Sequence, residues 1–265
     1  DLIFSLIVNQ LITYSNDIRK ISFEILELLV KRYYKLVNRF ISVIFDQTLT
    51  TFEQCNEEVG LKAIEFWSTL ADEEFQIILD SIQALSEGRI PKTYSEQFII
   101  KSGSVLPFVL LQFIQHKKMS ENEEWNCNSA VGLCLNLMSQ AGPNEILSRF
   151  VDFIETKVSL NSEIKLKQAA IFSLVSIFDG IGSKVLYNHL IKTSSLWLSF
   201  SENENQELRK TTFFLFGKIL QLSPFVLRVK LDQILRILLN NIFDKKNRNN
   251  IFWILNEIFQ SFELE

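Results

Sequence analysis

The chain has 265 residues, 47% of them hydrophobic and 12% aromatic, which is enough to bury a core and too apolar for intrinsic disorder. A formal net charge of -4, from 27 basic and 31 acidic residues, excludes a chain held to nucleic acid by a global basic field; if the partner is charged, a basic one is favoured. No uninterrupted apolar run reaches the roughly 18 residues of a membrane-spanning helix, so a soluble protein is expected.

The sequence opens on Asp1, and its first apolar stretch, LIFSLIVNQLI, lacks a preceding basic region and a small-residue cleavage site. It reads as a piece of a longer chain. Only 8 glycines and 4 prolines punctuate it, and alternating strand patterns are nearly absent, so the segments between breakers read as amphipathic helices of an all-α fold. In chain order the predicted helices fall into pairs. They are DLIFSLIVNQLI with KISFEILELL, LVNRFISVIFDQTL with LKAIEFWSTL, FIIKSGSVLPFVLLQFI with CNSAVGLCLNL, EILSRFVDFIETKV with KQAAIFSLVSI, VLYNHLIKTSSLWLSF with RKTTFFLFGKI, and FVLRVKLDQILRILLNNIF with NRNNIFWILNEI.

The second helix of each pair shares a layout: a polar entry, a small or polar pair, then apolar residues. The second member of that pair is Ser22, Ala63, Ala130, Ala170, Thr212 and Asn250, in steps of 41, 67, 40, 42 and 38 residues. Four of the five steps match HEAT or armadillo repeats, roughly 40 to 47 residues, and the fifth is one repeat plus an insertion. One pair cannot bury its own apolar face, so stacking makes the core. The expected fold is therefore a right-handed α-α superhelix of about six antiparallel pairs with twelve main helices. It is read as a single HEAT-repeat solenoid over 1–265, with repeats at about 1–34, 36–88, 94–141, 143–181, 183–222 and 224–265. The extra residues fall in DEEFQIILDSIQALSEGRIPKTYSEQ, which lengthens or follows the second helix of pair two, and in HKKMSENEE within pair three.

The order KAIEFWSTLADEEF, EGRIP, EEWN, QAAIFSLVSIFDG and NIFWILNEI resembles the importin-beta (karyopherin-beta) family over nearly the whole chain. The match would correspond to about the fifth to tenth HEAT repeats of that longer solenoid. It implies a nuclear import receptor whose inner helices wrap basic import signals or the importin-beta-binding segment of an adaptor. It also implies release by the GTP form of the small GTPase Ran, and outer helices that bind phenylalanine-glycine repeats of nucleoporins. Such a protein shuttles between cytoplasm and nucleus as a monomer, without cofactor, membrane or direct nucleic acid.

Carried over residue by residue, the resemblance gives Glu121, Glu123 and Glu124 the role of an acidic loop attracting Lys or Arg, and Trp125 that of an indole face for a cation or its alkyl stem. Three glutamates around Asn122, where the family commonly has a longer run of aspartates, make a weaker field. Trp253 matches a family tryptophan of a later inner helix, and Phe214 stands where another is usual, keeping a π face without the indole donor. Asp72, Glu73 and Glu74 match an acidic turn used for basic partners, although a solvated helix end accounts for those residue types equally well. Leu2 and Ile3 match a groove between outer helices that accepts phenylalanine, against a simpler role in packing between repeats. Trp197 reads as core between repeats, and Trp67, apolar on both sides, as core ahead of a ligand-facing role.

No catalytic set emerges. His116 and His189 lack metal-ligand spacing, FDGIGSK has neither a Walker spacing nor a strand-to-helix context, and no carboxylate pair is tuned into an acid and a base. Cys55, Cys127 and Cys134 fit neither a zinc site nor a disulfide framework and read as small buried residues in a reducing compartment. Two other non-enzymes remain open. A general HEAT scaffold would need neither the aromatic ladder nor the acidic loop, and an armadillo-type adaptor would carry regularly spaced Trp-Asn pairs, of which only Trp125-Asn126 occurs.

Overall fold

The computed structural model describes residues 2–262 except 14, 55, 116–126 and 179–182. Among the described residues there are fourteen helices and no strand. The chain divides into two compact units, Asp1–Arg149 and Phe150–Glu265. The first holds α1 (Leu2–Gln10), α2 (Asn16–Val37), α3 (Ile41–Glu53), α4 (Glu57–Ser86), α5 (Phe98–Ser102), α6 (Leu106–Gln115) and α7 (Cys127–Ala141). Helix α8 (Pro143–Lys157) runs across the division. The second unit continues with α9 (Ile164–Ile177), α10 (Ser183–Ser201), α11 (Gln206–Leu222), α12 (Phe225–Arg228), α13 (Leu231–Asn241) and α14 (Arg248–Ser261).

In the first unit α4 packs between α2 and α7, and in the second α11 packs between α9 and α14. These six helices are the ones that carry the periodic small residues, whose physical role is now visible. Ala63, Ala130 and Ala170 are almost fully buried, and Ser22 and Thr212 are buried with their hydroxyls turned back to the carbonyls of Ile18 and Leu208 at 2.8 and 2.7 Å. A short side chain, or one satisfied by its own helix, lets the neighbouring helix approach closely. Asn250 instead reaches from α14 to the Lys210 carbonyl of α11 at 3.4 Å. Three of these helices start on a side-chain cap that sequence alone makes readable: Ser15 accepts from Ile18 N–H, Asn56 from Val59 and Asn205 from Leu208.

Two expected helices are broken, which is why there are fourteen and not twelve. FIIKSGSVLPFVLLQFI divides into α5 and α6 around Gly103, where an added Cβ would lie 3.1 Å from the tip of Ile146, and Pro107 falls in the first turn of α6, where an N–H is not needed. The last first-helix starts after Pro224 and divides into α12 and α13 at Val229 and Lys230. The insertion after pair two mostly lengthens its second helix. Helix α4 runs 30 residues and ends on Gly88 at φ +70°. Arg89 N–H donates to the Ala84 carbonyl at 2.8 Å and Gly88 N–H to that of Leu85 at 3.0 Å, the paired bonds of a left-handed glycine cap.

Trp67 and Trp197 are fully buried, and each indole N–H has a partner, Thr48 Oγ1 at 3.0 Å and Thr193 Oγ1 at 2.9 Å. Cys127 and Cys134 are buried thiols, with burial pushing that of Cys134 up to about 12; Cys55 lies outside the described residues. No helix among the described residues is long and apolar enough to cross a membrane.

Candidate functional site

The acidic loop and its tryptophan, Glu121, Glu123, Glu124 and Trp125, lie outside the described residues. Two of the other sequence-derived aromatics do come together. Phe214 on α11 and Trp253 on α14 have ring centroids 5.6 Å apart and planes inclined at 40°, with Phe214 40% exposed and Trp253 partly so. The contact depends on a glycine: a Cβ on Gly217 would stand 2.3 Å from Cζ3 of Trp253, so no larger residue fits under the indole as it lies. Gly217 is one turn along from Phe214 on the same helix, which places the phenyl ring beside the indole edge.

Glu257, one turn beyond Trp253, completes the arrangement and is not evident from the aromatic pattern. The Trp253 indole N–H donates to its Oε1 at 2.9 Å, and the Gln221 amide donates to the same oxygen at 3.0 Å. No hydrogen bond or ion pair engages its Oε2 among the described residues. The signal was available in the spacing, since i and i+4 share a helix face. A ring face, a second ring and a carboxylate with a free oxygen at a partly wet surface form an environment suited to a cation with an apolar stem.

In the first unit the acidic residues sit differently from the expectation. Asp72, Glu73 and Glu74 lie within α4, not at a turn, because the helix runs on to Ser86. Asp72 is exposed and Glu73 is partly buried; burial first, then the adjacent Asp72, push the Glu73 carboxyl up. Glu74 is 1% exposed and is committed to the fold. Its Oε1 accepts from Tyr34 at 2.6 Å, Ser95 at 2.8 Å and Phe98 N–H at 2.9 Å, and its Oε2 accepts from Ile99 N–H at 2.8 Å. Glu74 therefore caps the first turn of α5 from another helix, satisfying amides that Gln97, at φ 61° and without a side-chain cap bond, leaves open. Burial, then Glu74, push the Tyr34 hydroxyl pKa up, so it remains a donor to that carboxylate.

Leu2 and Ile3 are 74% and 67% exposed on α1, while the intervening core contact is made by Phe4, stacked on Phe40 at 5.3 Å. His189 is buried, 3.3 Å from Glu155, and serves packing between α8 and α10; His116 lies outside the described residues.

No family model matches the chain. It is 25% identical over 241 residues to importin subunit beta-1 of Arabidopsis thaliana, covering 87% of this chain and 27% of that protein. It is 24% identical over 209 residues to the Saccharomyces cerevisiae protein of the same name, covering 77% and 23%. A crystal structure of importin beta superposes with a TM-score of 0.87 at 23% identity, over 99% of this chain and 32% of that one. The chain is similar in sequence and fold to a HEAT-repeat segment of importin beta. It spans about a quarter of the length of the curated relatives it matches. Its fold also matches Kap95 in the Kap95:Nup1 complex, with a TM-score of 0.84 at 20% identity over 98% of this chain and 30% of that one. It matches Kap95p in a structure where binding induces the switch loops of RanGDP to adopt the GTP-bound conformation, with a TM-score of 0.86 at 19% identity over 97% and 30%.

Proposed function

We propose that this chain is part of a nuclear transport receptor that takes hold of Lys/Arg-rich segments, either import signals or the importin-beta-binding segment of an adaptor. The observation that carries the reading is the Phe214–Trp253–Glu257 arrangement, which offers two ring faces and a half-engaged carboxylate on adjacent helices. A lysine or arginine head would meet the free Oε2 of Glu257 while its alkyl stem lies along the rings. Asp72 and Glu73 on α4 would add attraction for basic residues, as would Glu121, Glu123, Glu124 and Trp125.

Ran in its GTP form would release the partner, and FG-nucleoporins would use outer helices, with Leu2 and Ile3 as contacts. The support for these is the similarity to chains whose structures include Nup1 and Ran. The protein would move between cytoplasm and nucleus as a monomer and act by binding, with no catalytic step. The repeats would form one solenoid across 1–265.

A pull-down with a basic importin-beta-binding peptide and a neutral peptide of equal length tests the reading. Capture by the basic peptide alone supports it. Equal capture by both would leave a general HEAT scaffold as the better account.

A further inference from the structure

One concavity of the first unit has an electrostatic character opposite to that of the chain. Its volume is about 710 Å³, and it lies between the C-terminal halves of α2 and α4 and the segment that follows α4. Five cationic side chains line it, Lys31, Arg32 and Lys35 from α2 and Arg89 and Lys92 from the returning segment, against two carboxylates, Glu73 and Asp80. The whole chain is net acidic, at -4.

Two of the five cations are partly engaged: Arg89 pairs with Glu87, and Lys31 is 3.8 Å from Glu27. Arg32, Lys35 and Lys92 are exposed and have no ion pair among the described residues. Tyr33, 51% exposed at a kink in α2, and Ile90, 84% exposed, put apolar surface among them.

The wall opposite α2 is held in place. Ser81 donates to the Thr93 carbonyl at 3.2 Å, Glu96 N–H donates to Tyr34 at 2.8 Å, and Glu74 holds Ser95 and the start of α5. A pocket with a wall tied by part-buried and buried hydrogen bonds needs little reorganisation to receive a ligand.

We propose that this pocket docks an acidic peptide segment of a partner protein, with Asp or Glu side chains meeting Arg32, Lys35 and Lys92 and an apolar side chain lying against Tyr33 and Ile90. Charge complementarity and the mixed lining favour a peptide over a compact phosphate. Glu73 and Asp80 would repel a concentrated dianion, whereas a chain of carboxylates and apolar groups can spread past them. The pocket shares Glu73 with the residues proposed to attract basic segments but includes none of Phe214, Trp253 and Glu257 and selects the opposite charge, so a loss of basic-peptide capture through that trio would leave it untouched.

The test uses fluorescence anisotropy with fluorescein-labelled (Glu-Glu-Leu)₄ and its uncharged analogue (Gln-Gln-Leu)₄ at low ionic strength. The acidic peptide should bind, and the analogue should not. The triple variant Arg32→Gln, Lys35→Gln, Lys92→Gln should bind on the order of tenfold more weakly, since three exposed charge contacts are lost. Lys92→Glu, on the segment after α4, should weaken binding without altering α2. The control Lys157→Gln, Lys165→Gln, Lys245→Gln removes the same charge from exposed positions in the second unit and should bind as the unmodified chain does. Equal binding of the two peptides, equal affinities of the site variants and the control, or displacement of the acidic peptide by stoichiometric pyrophosphate would each overturn the proposal.

Discussion

At the scale of single residues, the second unit owes its aromatic pair to what is missing at Gly217. Alanine there would gain about 1 kcal/mol of helix propensity. The new methyl would overlap a rigid indole at 2.3 Å, and overpacking of that kind costs about 1–3 kcal/mol. The clash wins, or the ring swings away from Glu257. Gly217→Ala should therefore weaken basic-peptide binding nearly as much as loss of the indole itself, and an unchanged affinity in isothermal titration would separate the pair from binding.

Glu74 is the opposite case, a carboxylate whose work is internal. Glu74→Ala leaves the N–H groups of Phe98 and Ile99 without their acceptor, and each buried orphan amide costs about 1–3 kcal/mol. Urea unfolding should show a loss of about 2–5 kcal/mol, and a change under about 0.5 kcal/mol would contradict the assigned role. Reading DEE as an acidic surface missed this, because the groups that Glu74 serves lie 21 to 25 residues further on, and also on α2. Residue type gave the charge but not the burial. Glu257 was legible in principle, since its position relative to Trp253 follows from helical spacing alone, whereas the bond from Gln221 depends on how α11 and α14 pack.

At the scale of elements, the repeat was readable because close helix contact demands small side chains at a fixed register. Ser22, Ala63, Ala130, Ala170 and Thr212 are buried for that reason. Helix ends were readable where a cap was present, as at Ser15, Asn56 and Asn205. The break at Gly103 was not, since the apolar pattern continues across it and the close approach of Ile146 comes from a later helix.

Contacts between elements also carry pH sensitivity. His189 on α10 faces Glu155 on α8, with Lys192 bonded to the same carboxylate; burial lowers the histidine pKa, and the glutamate only partly opposes it. An unfolded histidine takes up its proton near pH 6.5, so below that the unfolded chain binds more protons than the folded one. This contribution to stability is complete above about pH 6.5 and is lost as pH falls toward the lower folded value. The thermal midpoint should drop between pH 7 and 5.5, and His189→Gln should flatten part of that drop. Identical slopes in the two proteins would rule the residue out.

At the scale of the whole molecule, composition and period give an all-α HEAT-repeat chain, and similarity places it beside importin-beta over about a quarter of that protein's length. The proposed recognition of basic segments relies on rings and carboxylates together. Screening acts on charge pairs over about 8–10 Å near physiological salt but leaves ring contacts largely intact, so binding should weaken with salt without vanishing. The most direct measurement is isothermal titration of one Lys/Arg-rich peptide into the unmodified chain and into Trp253→Ala, at low and physiological salt. Trp253→Ala should bind more weakly by about 0.5–2 kcal/mol at both salts, and affinity should fall as salt rises in both proteins. An affinity indifferent to salt, or a folded Trp253→Ala chain that binds as tightly as the original, would contradict the proposed recognition.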